Sequence, residues 1–240
     1  MIKLNNITHA YGDKPVLQDL SLNIESNQLT CLLGGSGNGK TTILRLIAGL
    51  EVPTNGQIII QDKIVSDQNK IIIPPYQRNL GYIFQDLALW PHFTVYKNIA
   101  FGLNEHRKKN VKDTVFKMLD FFGLQEYAEK YPHQLSGGQQ QLVAISRALV
   151  LKPKILLMDE PLANLDVKLK RKILEHIKNL KKSRTFGNNL TIVYVTHDHK
   201  EALTLADTIV VLNEGKIEET GNRDQIINST NEFVQYFIEV

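Results

Sequence analysis

Lys40 and Thr41 close the octapeptide Gly34-Gly35-Ser36-Gly37-Asn38-Gly39-Lys40-Thr41, which fits the pattern G-x-x-x-x-G-K-[ST]. Glycines let a backbone curl around a polyphosphate with several N–H groups turned inward. Lys40 supplies a compact positive charge to the β- and γ-phosphates, and Thr41 a hydroxyl to Mg²⁺. The flanks suit this chemistry. Residues 29–33 read as a short buried strand, and Thr42 opens a helical stretch, 42–50, whose positive dipole end faces the phosphates. The pattern points to a nucleoside triphosphate.

Two acids and a histidine stand where they could complete such a site. Residues 155–158 form an apolar strand followed by Asp159 and Glu160. An acid at the carboxyl end of a parallel strand lies where these sheets bind ligands, and can hold Mg²⁺ beside a γ-phosphate. Read alone, the pair is equally ordinary surface chemistry. His197, in Val195-Thr196-His197-Asp198, ends another apolar strand and read alone is a loop histidine. Leu135-Ser136-Gly137-Gly138-Gln139 opens a helix running through Leu149. Its free N–H groups, hydroxyl and dipole make either a second anion site or an N-cap with a flexible turn. A chain with one phosphate loop needs no second anion site, unless that site completes one on another subunit.

The elements that must position these residues alternate. Strands are expected at 2–7, 20–24, 29–33, 57–61 and 80–84, and a helix at 111–122, where apolar residues recur at i, i+4, i+7, i+8 and i+11. After 155–158 come a helix from 166 to about 182, strand 191–195, helix 199–206 and strand 208–212. This alternation is that of a parallel sheet. Glu214-Gly215 turns into strand 216–220, and 223–238 reads as one closing helix.

The motifs together resemble the ABC-type ATPases. Phosphate loop Gly34–Thr41, glutamine loop Tyr82-Ile83-Phe84-Gln85, signature Leu135–Gln139, acidic strand 155–160, loop Leu162-Ala163-Asn164-Leu165-Asp166 and histidine switch 195–198 occur in family order over essentially the whole chain. The resemblance implies an α/β fold: a phosphate-loop NTPase core, mostly a parallel sheet flanked by helices, with an antiparallel β subdomain and an inserted α-helical subdomain at about 86–152. It also implies one nucleotide-binding domain over 1–240, without a C-terminal regulatory domain. Two copies bind head to tail and sandwich ATP and Mg²⁺ between residues 34–42 of one and Ser136, Gly137, Gly138 and Gln139 of the other. Tyr11 falls where the family stacks an aromatic on adenine, with Val16 beside it. Asp159, Thr41 and Gln85 hold Mg²⁺, Glu160 orients or deprotonates the attacking water, His197 contacts the γ-phosphate, and Asp166 communicates between sites.

The resemblance extends to partners. Residues 87–93 are unusually apolar for a loop, and in transport members the equivalent region receives a helix of a membrane permease; Leu87, Leu89, Trp90 and Phe93 are the expected anchors. Runs 76–85 and 95–103 resemble importer subunits for sugars, polyamines, ferric iron, sulfate or phosphonates, which imply an extracytoplasmic solute-binding protein as an indirect partner and a place at the cytoplasmic face of the membrane. The alternative is a soluble ABC-type ATPase working on a protein or nucleic-acid machine. Two departures stand out: Gly35 replaces a frequent proline, and Leu142 an arginine whose surface or interface charge is missing.

Bulk properties agree with this. Among 240 residues, 42% are hydrophobic, the net charge is +3 and there is one cysteine, Cys31, so no internal disulfide forms. No signal peptide and no membrane span are expected. The basic stretch 168–172, with Lys178, Lys181 and Lys182, reads as a solvated face; nucleic acid would call for aromatics and a broader basic surface.

Overall fold

A computed structural model describes residues 1–163, 165–182 and 189–239, without the side chains of 181, 182 and 239. Asn164 of the Asp166 loop, and the side chains of Lys181 and Lys182, thus lie outside the described residues. In chain order the strands are β1 (Ile2–Tyr11), β2 (Lys14–Ile24), β3 (Leu29–Leu33), β4 (Asn55–Ile60), β5 (Lys63–Asp67), β6 (Lys70–Ile71), β7 (Leu80–Ile83), β8 (Ile155–Asp159), β9 (Thr191–Thr196), β10 (Thr208–Asn213) and β11 (Lys216–Gly221). The helices are α1 (Lys40–Ala48), α2 (Val95–Glu105), α3 (Val111–Phe122), α4 (Gly137–Leu149), α5 (Val167–Lys182), α6 (His199–Leu205), α7 (Arg223–Ile227) and α8 (Glu232–Glu239).

The six-stranded sheet runs β11-β10-β3-β9-β8-β7 and is parallel except for β11. The five-stranded sheet, β2-β1-β4-β5-β6, is antiparallel. Parallel strands buried on both faces need apolar residues at every position. Here the two-residue period divides them cleanly. Leu29, Cys31 and Leu33 of β3, Leu156 and Met158 of β8, and Ile192 and Tyr194 of β9 face one core with α2 to α6. Leu32, Ile155, Leu157, Val193 and Val195 face the other, where α1 lies between the two sheets.

Where the fold departs from expectation, local chemistry explains it. Hairpins β4–β5 and β5–β6 turn on Gln61-Asp62 and Gln68-Asn69, all four with positive φ. Such turns are normally signalled by glycine, which is absent here. The expected closing helix is two helices: Asn228 ends α7, and the Asn231 side chain accepts from the Phe233 and Val234 N–H groups to start α8. Helix α2 was not expected; Thr94 caps it by accepting from the Lys97 N–H. Leu142 is buried in the helical core, so an apolar residue suits a position expected at the surface.

A buried cation ties α1 to the antiparallel sheet. Arg78 donates to the Leu46 and Ile47 carbonyls at the end of α1, to the Ile73 and Val65 carbonyls and to the Ser66 hydroxyl. Burial lowers its pKa to about 10, which leaves it charged at neutral pH.

Candidate nucleotide site

The glycine loop leaves the end of β3 under tight steric control. A Cβ on Gly34 would stand 2.3 Å from the Leu212 carbonyl oxygen, and one on Gly39 2.6 Å from Leu17. Gly37 and Gly39 take φ of +83° and +86°, which residues with a Cβ avoid. Asn38 pins the loop from the side: its amide donates to the Leu212 carbonyl at 2.9 Å, and its Oδ1 accepts from the Glu214 N–H at 3.3 Å. Gly35 meets nothing closer than 3.5 Å.

Helix α1 starts without a side-chain cap and without an acid in its first turn. Its first internal bond runs from the Ile43 N–H to the Gly39 carbonyl, so the N–H groups of Lys40, Thr41 and Thr42 have no intrahelical partner. Three free donors at a positive dipole end fit a polyphosphate. The Lys40 ammonium is buried and donates to the Gly34 and Gly35 carbonyls at 2.9 and 2.7 Å. Burial lowers its pKa, opposed by the nearby charges of Glu160 and Asp159.

Asp159, at the end of β8, accepts from the Thr41 hydroxyl at 2.7 Å and the Tyr82 hydroxyl at 3.1 Å. Burial holds its carboxyl above the usual carboxylate range despite these two donors. Tyr82 escaped the sequence reading as a partner of Asp159, although its alternation with Leu80 on β7 puts it on the side facing α1. Glu160 takes φ of +41°; its N–H donates to the Val195 carbonyl, and its Oε2 lies 3.1 Å from His197 Nδ1.

Residues Tyr11, Val16, 35–42, Gln85, Glu160 and His197 line one cleft of about 1100 Å³. Lys14, Gln18, Glu214 and Phe237 also line it, without any signal that the sequence alone offered. The Tyr11 hydroxyl donates to Glu51 at 2.6 Å, and the residue is 47% exposed. Thr41, Gln85 and Asp159 share an adjoining hollow of about 470 Å³. No cluster of three His, Cys, Asp or Glu suited to a metal occurs among the described residues. A Mg²⁺ ion held here would depend on phosphate oxygens and water, as that ion usually does.

Ser136, Gly138, Gln139 and Asp166 lie outside this cleft. Gly137 borders a smaller hollow that shares Gln85 and Glu160. Ser136 and Gln139 cap α4 reciprocally, and Asp166 caps α5 by accepting from the Leu169 N–H at 3.0 Å. Gly138 also has a packing role, since a Cβ there would stand 2.4 Å from Leu169. Lys170, expected on a solvated face, instead donates to Glu201 at 3.1 Å. The buried Glu201 also accepts from the Tyr194 and Thr196 hydroxyls at 2.8 Å, fixing the residue before His197. Trp90 packs against Phe93 and Phe101, with ring centroids 5.7 and 4.5 Å away.

The fold and cleft define a phosphate-loop nucleotide-binding cassette, and comparison with known proteins narrows it. A family model described as ABC transporter matches residues 17–163. The spermidine/putrescine import ATP-binding protein PotA of Clostridium novyi is 43% identical, covering 99% of this chain and 67% of that protein. The trehalose/maltose import ATP-binding protein MalK of Thermococcus litoralis is 42% identical, covering 99% and 64%. The chain therefore spans about two thirds of the length of these curated relatives. Among solved structures, a dimeric bacterial ABC transporter cassette superposes with a TM-score of 0.81 and 32% identity, covering 93% of this chain and 99% of that one. A related dimer of the same likeness is a post-hydrolysis state bound to ADP and Pi. The chain belongs to the ABC transporter family.

Proposed function

We propose that this chain is the ATP-binding and ATP-hydrolysing subunit of a membrane importer. The observation that carries the reading is the meeting of Lys40, Thr41, Gln85, Glu160 and His197 on one cleft, with Asp159 beneath Thr41. Lys40 and the uncapped N–H groups of α1 hold the phosphates. Thr41, Asp159 and Gln85 would hold Mg²⁺, which when bound would neutralise phosphate charge. Glu160 orients a water and accepts its proton as the water oxygen bonds to phosphorus and the ADP oxygen leaves. His197, which lines the same cleft within hydrogen-bond reach of Glu160, would contact the γ-phosphate.

Placement of Ser136 and Gln139 outside the cleft supports a site completed by a second copy, as does likeness to two dimeric cassettes. Closure on ATP and opening after hydrolysis would then be a population shift between two dimer states. Leu87, Leu89, Trp90 and Phe93 are the proposed seat of a permease subunit, with a solute-binding protein beyond it, which would place the chain at the cytoplasmic face. Names of the polyamine and sugar import relatives support an importer without selecting a solute. Light scattering of the Glu160→Gln variant with and without ATP tests the reading. Turnover should fall by roughly 10²–10⁴ while ATP shifts monomer to dimer; near-normal turnover would remove Glu160 from its role.

A further inference from the structure

Just after Gln85 one side chain holds two residues in an uncommon backbone, while further on the buried Asn98 amide bonds the backbone of Trp90, Phe93 and Thr94. Leu87 and Ala88 take φ of +62° and +44°, left-handed conformations that residues with a Cβ seldom adopt, least of all in succession. Arg147 of α4 meets these same two residues. It donates to the Leu87 carbonyl at 2.7 Å and to the Ala88 carbonyl at 2.6 Å. Its guanidinium also lies 4.8 Å from the centroid of the Trp90 ring, inside cation–π range. A lysine ammonium could donate to both carbonyls but lacks the planar guanidinium that bonds them as a fork while stacking on the indole.

The helix that carries Arg147 is itself packed against β7, the strand that ends two residues before Gln85. Where α4 crosses β7, a Cβ on Gly81 would stand 2.7 Å from the Ala148 carbonyl oxygen. At its other end the same helix starts at the Ser136 cap. Arg147 thus joins three things: the signature helix, the chain leaving the nucleotide cleft at Gln85, and the aromatic patch of Trp90.

We propose that Arg147 is a positioning residue, a latch through which the nucleotide state of the cleft sets the shape of the Trp90 patch. The proposal rests on the nucleotide site described above. Trp90 is the only tryptophan in the sequence, so tryptophan emission, excited where tyrosine does not absorb, reports this patch alone. The test uses the full chain carrying Glu160→Gln, with ATP binding followed separately by calorimetry. MgATP should change Trp90 emission in this parent. Arg147→Met should bind ATP with unchanged affinity and lose the emission change, and Arg147→Lys should keep only part of it. Should Arg147→Met fail to fold by circular dichroism, the lysine variant decides, and an undiminished response there overturns the latch. A methionine variant that responds like the parent overturns it, as does a parent that binds ATP silently; both leave the nucleotide site standing. A parent that binds no ATP removes the site and the latch together.

Discussion

Asp159 is held against its own electrostatics. Burial keeps its folded-state pKa above the unfolded value, so between the two values only the folded protein holds a proton there. That stabilisation is present at low pH and lost as pH rises through the raised value. At neutral pH the ionised carboxylate therefore costs stability that a metal site requires. Asp159→Asn should raise the melting temperature of the nucleotide-free protein at pH 7, with the advantage shrinking on acidification, and should abolish Mg²⁺-dependent hydrolysis. A variant that melts lower at pH 7 than at acid pH, relative to the parent, would contradict this. Lys40→Ala should weaken ATP binding itself; unchanged affinity by calorimetry would contradict the phosphate-loop assignment. The candidate residues were legible because phosphate and metal chemistry admits few residue types at fixed spacing. The roles of Tyr82 and Glu201 were not, since each acts on a ligand-facing neighbour through contacts that only the fold creates.

At the scale of elements, α1 ends as carefully as it begins. Gly49 takes φ of +77°, and a Cβ there would stand 2.5 Å from the Arg78 guanidinium. Gly49→Ala combines a left-handed alanine, about 1–2 kcal/mol, with displacement of a buried cation that satisfies carbonyls of α1 and β5. A loss of at least about 2 kcal/mol is expected, roughly 4–8 °C in a thermal melt for a chain of this size; an unchanged melt would show that Arg78 relocates freely. The parallel strands were legible because both faces are buried and their apolar runs are bounded by turns. Strands β5 and β6 escaped because their hairpin turns rely on Gln, Asp and Asn rather than glycine, and α2 because aromatic and β-branched residues weaken its helical signature.

At the scale of the molecule, the two sheets meet on a core whose one buried helix among the described residues is α1. The other core, with its several helices, lies across the parallel sheet. The antiparallel sheet packs through the helix whose first turn would hold phosphate. Ile43, Leu44, Leu46 and Ile47 are fully buried there. ATP at about 100 times its dissociation constant should add about 2.7 kcal/mol to the folded state, on the order of 5–10 °C at this chain length. Because the gripped helix is the hub of that core, heating should reveal one shifted cooperative transition rather than a protected lobe melting apart from an unprotected one. A simple temperature ramp would then serve as a ligand screen for this chain, with Lys40→Ala as its blank.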